Sequence, residues 1–222
     1  MPGNQEWNSC FSRLESLLKR PISQDEQDGL QAYVSHLLKW NKTYNLIGPS
    51  TVTTVLERHI VDSTPLLPLL PDHAKIADIG SGAGFPGLVL AILSKPPTQI
   101  SLIESAGKKA RFLQYIVNQL ALSNRCTIFS ERAEKHSLNK NNEYHFVVSR
   151  AVGTLSLLAK LSVDLLQPGG SCLALKGERS ESEIIDFLKT PLKNSFELPI
   201  IIPVAEIPGA TIIKLKKVSR ET

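Results

Sequence analysis

Two carboxylates and a run of alternating glycines pose the first chemical question. Within "DIGSGAGFPG", Asp78, Gly80, Gly82 and Gly84 spell D-x-G-x-G-x-G, a loop suited to S-adenosylmethionine. Gly82, Gly84 and Gly87 in the same stretch spell the dinucleotide fingerprint G-x-G-x-x-G. Either loop lets backbone approach a ligand closely at a strand-to-helix turn, so the chemistry is methyl or hydride transfer. Glu104, closing "QISLIE", can accept hydrogen bonds from both ribose hydroxyls, which both cofactors carry. Asp78 favours methyl: a carboxylate ahead of the glycines opposes a pyrophosphate but suits the ammonium of a methionine moiety. In "ERAE", Ala133 and Glu134 could offer an N–H and a carboxylate to an adenine edge.

These residues need a scaffold that brings separate segments to one rim. From Lys75 onward, β-rich runs alternate with helical stretches: "KIADIG", "QISLIE", "RCTIFS", "YHFVVSRA" and "GSCLALKG", with helices near 88–93, 108–120, 155–166 and 182–188. That alternation predicts a parallel sheet covered on both faces. "ELPIIIPVAE" and "ATIIKLKK" are separated by a few residues only, and a connection that short can join only antiparallel strands. A reversed strand at the end distinguishes a methyltransferase sheet from the six parallel strands of a dehydrogenase. The expected fold is therefore α/β and Rossmann-like, a class I S-adenosylmethionine-dependent methyltransferase with a mostly parallel seven-stranded sheet and an antiparallel terminal hairpin.

Residues 1–71 read as a small helical extension and 72–222 as the methyltransferase domain. Ser23 and Glu26 form a capping box, and Leu30, Tyr33, Val34, Leu37 and Leu38 follow at helical spacing. A further helix is expected over 53–63, ended by the proline-rich "TPLLPLLP".

Composition narrows the setting. Cys10, Cys126 and Cys172 are odd in number and far apart, which argues against a disulfide framework or a C-x-x-C metal site. No metal is expected. The opening "MPGNQEWNSC" lacks the basic-then-apolar pattern of a signal peptide, and no apolar run approaches the roughly 20 residues that cross a bilayer. A cytoplasmic monomer without membrane contact is expected. The net charge of +4 leans toward nucleic acid.

From "KWNKTYNL" through "RHIVDS", "DIGSGAGFPGLVLAI", "LIESAGKKARFL", "ERAE", "SRAV" and "LLQPGGSCLALKG", residues 39–177 resemble the RsmG (GidB) family of bacterial 16S ribosomal RNA guanine-N7 methyltransferases. The resemblance implies methyl transfer from S-adenosylmethionine to N7 of one guanine in small-subunit rRNA, leaving S-adenosylhomocysteine. Carried over position by position, it implies cofactor contacts at Gly80, Phe85, Glu104, Ala133, Glu134 and Arg150. Ser130 and Glu131 stand where the family more often has glycine.

Guanine N7 has an in-plane lone pair, so no general base is expected; positioning, desolvation and electrostatics suffice. The sequence agrees with that chemistry. Ser149, Arg150, Ala151 and Val152 replace the Asn/Asp-Pro-Pro-aromatic tetrad of amino-group methyltransferases. Cys126 and Cys172 lie toward the starts of their strands, away from where a C5-directed nucleophile would be needed. Arg150 and Lys176, just beyond the fourth strand and ending the fifth, are the expected positioning residues at the reacting centre. Arg58, His59, Lys108 and Lys109 (with Arg111 beside them), and Lys214, Lys216 and Lys217 with the following "KVSR", are the candidate RNA contacts. A small-molecule methyltransferase and a non-catalytic, cofactor-sensing ribosome-assembly factor are the alternatives.

Overall fold

In the computed structural model, which describes residues 1–177 and 180–219, strand alternation of buried residues builds two cores on either side of one sheet. The strands are β1 (Lys75–Ile79), β2 (Gln99–Ile103), β3 (Cys126–Phe129), β4 (Tyr144–Arg150), β5 (Leu166–Lys176), β6 (Ile200–Pro203) and β7 (Thr211–Lys216). Their order among the described residues is β3-β2-β1-β4-β5-β7-β6. β1 to β5 pair in parallel, whereas β7 runs antiparallel to both β5 and β6. The reversed terminal hairpin is as the short connection requires. Order reverses at β1, which has β2 on one side and β4 on the other, and this opens a crevice beyond their carboxyl ends.

Neighbouring residues of one strand go to opposite cores. Ile76, Leu173 and Leu175 join the helices α4 (Gly87–Leu93) and α5 (Gly107–Gln119) on one face. Ala77, Ile79, Cys172 and Ala174 face α7 (Leu155–Ser162) and α8 (Ser180–Leu188) on the other, with Ala133 of α6 (Ala133–Asn139). The period of two forces this split. Cys172 lies well inside β5 rather than toward its start, paired with Val147 and three residues short of Leu175, the partner of Arg150. It is fully buried, and burial pushes its thiol up to about 12, so it is no nucleophile.

The residues ahead of the sheet do not form a separate core. Helix α1 (Asn4–Leu18) contributes Trp7, Cys10, Phe11 and Leu14 to the same cluster as α4 and α5, and α2 (Gln24–Tyr44) contributes Leu30, Tyr33, Val34 and Leu37. Ser23 caps α2 by accepting from the Glu26 amide, while Glu26 Oε2 accepts from the Ser23 amide at 2.8 Å.

The expected single helix over 53–63 is instead three short pieces: α3 (Pro49–Val52), a π-helix at Leu56–Ile60 and a 3₁₀ helix at Val61–Leu69. The 3₁₀ segment runs through Pro65 and Pro68 rather than stopping at them. Ser63 and Thr64 hydroxyls donate to the His59 and Ile60 carbonyls at 2.6 and 2.9 Å, so acceptors at the change of pitch are satisfied. Helix α7 ends earlier than the expected 166, and β5 begins there, separated from its regular pairing by an irregular stretch around Gln167 to Gly170.

One contact ties this N-terminal layer to the glycine loop. The Tyr33 hydroxyl, wholly buried, donates to the Ala83 carbonyl at 2.7 Å. Tyr33→Phe strands that carbonyl without a donor and should lower stability by about 1–3 kcal/mol. Urea denaturation at unchanged m-value is the measurement, and an unaltered midpoint would show that the bond contributes nothing.

Candidate functional site

The loop between β1 and α4 is pinned from three directions. Gly80 and Ser81 amides both donate to the Ile103 carbonyl at the end of β2, at 2.9 and 3.2 Å. The Ser149 hydroxyl of β4 donates to the Ile79 carbonyl at 3.0 Å. Glu104 then accepts from the Gly82 amide at 2.8 Å through one oxygen and from the Ala106 amide at 2.7 Å through the other. A carboxylate has about four acceptor positions, so Glu104 keeps capacity for two further donors, as a ribose diol supplies. Gly80 has φ +68°, and a Cβ there would sit 2.6 Å from Val152 Cγ2. Gly84 has φ +107°, and a Cβ would overlap the Leu88 side chain and come within 2.8 Å of the Tyr33 hydroxyl. Both positions therefore require glycine, and the bare backbone leaves a cradle.

Asp78 is not where the motif alone suggests. Its side chain is wholly buried beneath the loop, with Oδ2 accepting from the Gly87 amide at 2.9 Å where α4 begins. It therefore holds the loop to the helix. Oδ1 has no partner. Burial pushes the carboxyl up to about 7, against the pull of the Gly87 amide and the Arg150 charge.

A stack closes the site beside β4. His59 lies on Phe85 with ring centroids 4.5 Å apart and planes 15° from parallel, and Arg150 sits over Phe85 at 5.1 Å. Arg150 Nη2 donates to His59 Nδ1 at 2.7 Å, and Nη1 donates to the Arg58 carbonyl. Since Nδ1 accepts, the neutral ring carries its proton on Nε2, which is buried without a partner. Burial, helped by the nearby Arg150 charge, lowers the His59 pKa to about 4. His59 is thus a packed, uncharged partner of Arg150 and not a cation for phosphate. The turn after β4 is unusual too: Ala151 has φ 59°, a left-handed conformation that a non-glycine side chain disfavours.

Beyond this stack a cleft of about 560 Å³ opens between Arg58, Asp62, Arg150, Lys176, Glu183 and Ile207, within the size range of small-molecule sites. Lys176 lines it but is tied down, with Nζ 2.8 Å from Glu183 Oε2 and 2.8 Å from the Gly153 carbonyl. Ala133 and Glu134 open α6, where first-turn amides lack helical partners. Just ahead, Glu131 Oε1 meets His136 Nδ1 at 2.9 Å, and His136 Nε2 meets the Tyr144 hydroxyl at 2.8 Å, so the unusual Glu131 anchors this turn. Arg58 lines the cleft and is exposed; Lys108, in the first turn of α5, is also exposed, and Lys109 partly so.

The basic residues of β7 are not brought to the site. Lys176 pairs with Thr211 and Ser171 with Lys216, so β7 carries its lysines away from the cleft toward the opposite edge. Lys214 sits mid-strand opposite Leu173, and Lys216 pairs with Glu197 at 2.8 Å. The Lys217 ammonium donates to the Val163 and Leu166 carbonyls and to Asn142, each at 2.7 Å, which is a structural tether. Arg220 of "KVSR" lies outside the described residues. Among the described residues no group of three or more His, Cys, Asp or Glu could hold a metal, and no helix is long and apolar enough to cross a membrane. Sequence reasoning missed Tyr33 and Asp62 as parts of the site; the only signal for Asp62 was its place four residues after Arg58 in "RHIVDS".

The raised Asp78 pKa has a measurable consequence. The folded chain binds a proton between about pH 4 and 7 that the unfolded chain has released, so this group makes stability fall as pH rises through that window. Asp78→Asn should flatten the slope and leave the variant no less stable than wild type near pH 8, read from urea denaturation at stepped pH. Parallel curves for the two proteins would contradict it.

Comparison with known proteins agrees with this geometry. Solved structures of similar fold include a SAM-dependent methyltransferase from Aquifex aeolicus (TM-score 0.59, 15% identity, 81% of this chain and 98% of that one). Another is a SAM-dependent O-methyltransferase from Thermotoga maritima (TM-score 0.58, 18% identity, 78% and 71% covered). Among sequences, the ribosomal RNA small subunit methyltransferase G of Rhodospirillum centenum is 36% identical over 200 residues, covering 89% of this chain and 87% of that protein. That of Halorhodospira halophila is 38% identical over 192 residues, covering 86% and 88%. The family model described as rRNA small subunit methyltransferase G matches residues 26–202, and the chain belongs to that family.

Proposed function

We propose that the protein transfers a methyl group from S-adenosylmethionine to N7 of a guanine in 16S ribosomal RNA. The observation that carries this reading is the joining of Glu104 to the Gly82 amide at the carboxyl edge of the sheet, beside a cleft lined by Arg150. The residues fit the donor: side-chain-free backbone at Gly80 and Gly84 allows close approach, and Glu104 has unused acceptor positions for two hydroxyls. The start of α6 supplies Ala133 and Glu134 for the adenine edge. When bound, S-adenosylmethionine supplies an electrophilic sulfonium methyl.

The chain's own part is positioning and dielectric. N7 needs no deprotonation, and the groups that line the cleft suit that. Arg150 is committed to His59 and the Arg58 carbonyl, and Lys176 to Glu183. Neither is poised as a base. Buried Phe85 and half-buried Arg150 form one wall of the cleft, and a wall held by these contacts contributes by keeping the ring in line. Arg58 at the cleft, and Lys108 and Lys109 in the first turn of α5, are the cations for backbone phosphates, which position RNA without reading its sequence.

Tritiated methyl transfer to small-subunit particles from cells lacking the enzyme, followed by mapping of the labelled base, tests the reading. Wild-type protein should label one guanine at N7. Glu104→Ala should lose labelling, with S-adenosylhomocysteine binding at least about tenfold weaker by calorimetry and a circular dichroism spectrum like wild type. Full labelling by that variant, or label on an exocyclic nitrogen or a carbon, would overturn it.

A further inference from the structure

The charged groups around the cleft are not equivalent. Arg150, Lys176 and Glu183 are all consumed by protein partners: Glu183 Oε2 takes the Leu155 amide at 2.7 Å as well as Lys176. Asp62 differs. Its carboxylate is partly buried, lines the same cleft, and takes no hydrogen bond or ion pair from the described residues. It feels the charges of Arg150, Arg58 and Arg13 without contacting any of them, while burial raises its pKa. Its oxygens face the open cleft uncommitted to any protein donor, so of the charged groups there it is the one available to accept from a bound base.

Resting on the guanine-N7 reading above, we propose that Asp62 reads the Watson–Crick edge of the target guanine, accepting from N1–H and the N2 amino group. A carboxylate presents two parallel acceptors, which match those two donors. Adenine also has an N7 but offers an acceptor at N1, which a carboxylate repels, so the same group rejects it. The arrangement also favours reaction. As N7 gains a methyl, positive charge spreads over the purine and N1–H becomes more acidic, so its bond to a carboxylate strengthens on the way to the transition state. The change of helical pitch at Leu56–Ile60, directly before Asp62, sets this side chain and Arg58 on the cleft together.

The test uses the full chain and small-subunit particles reconstituted with either guanosine or inosine at the mapped target; inosine lacks only the N2 amino group. Wild type should prefer guanosine over inosine in kcat/KM by roughly 10- to 100-fold. Asp62→Ala should lower kcat/KM on guanosine particles by a similar factor and shrink the preference to within about threefold, with S-adenosylhomocysteine affinity within about threefold of wild type. Asp62→Asn keeps the shape but points an amide donor at N1–H, so it should lose guanosine activity too. A preserved guanosine preference in Asp62→Ala would overturn the base-reading role alone. So would a large loss of S-adenosylhomocysteine affinity, which would assign Asp62 to the donor's ammonium. Wild-type protein that leaves guanosine particles unlabelled would overturn the methylation reading, and the base-reading role with it.

Discussion

The Glu104 carboxylate holds two turns at once, and the site is organised around that bridge. One oxygen takes the Gly82 amide of the loop after β1, and the other the Ala106 amide before α5. These are charge-assisted bonds at a position only 7% exposed, where competition with water is weak. A loop with three left-handed glycines would otherwise carry high conformational entropy. Locking it beforehand means that a bound nucleoside meets a formed surface and need not order one, which is where affinity is otherwise lost.

The N-terminal helices act on the same loop from the other side. Tyr33 of α2 bonds to the Ala83 carbonyl and packs against Phe85, whose ring also contacts His59 and Arg150, themselves hydrogen-bonded to each other. The cradle is thus clamped between the sheet below and a helical layer above. A half-buried guanidinium is costly unless its donors are used, and Arg150 is kept in place by a neutral imidazole and a carbonyl rather than by a carboxylate. That choice leaves its positive charge uncancelled beside the cleft, although its hydrogen bonds are spent.

Residue type and spacing made the scaffold legible. The glycine loop, the parallel strands and the reversed hairpin follow from alternation, from turn chemistry and from a connection too short to cross over. The stretch 53–69 was not legible, because proline usually ends a helix and here it rides in a tighter one supported by Ser63 and Thr64 hydroxyls. Glu104 and Arg150 could be placed from their positions at strand ends. Charge alone does not give exposure. The burial of Asp78 beneath the loop and the tethering of Lys176 and Lys217 within the chain do not follow from residue type or spacing. Hydrogen-bond partners from distant segments decide such cases, and no local pattern encodes them.

The distribution of charge separates two tasks that an RNA-modifying site must perform. Arg58, at the cleft, and Lys108, at the start of α5, remain exposed, and exposed cations act on phosphates over distances comparable with the Debye length. Of those deeper in the cleft, Lys176 is paired with Glu183, and Arg150 keeps its charge but has its donors spent on His59 and a carbonyl, so neither has free donors to grip a phosphate. Affinity therefore belongs to the periphery and discrimination to the interior, where a hydrogen bond made or missed counts for more than it would in water. A reaction whose nucleophile is already basic suits this division: the interior has no proton to move and can be devoted to holding one ring in one orientation.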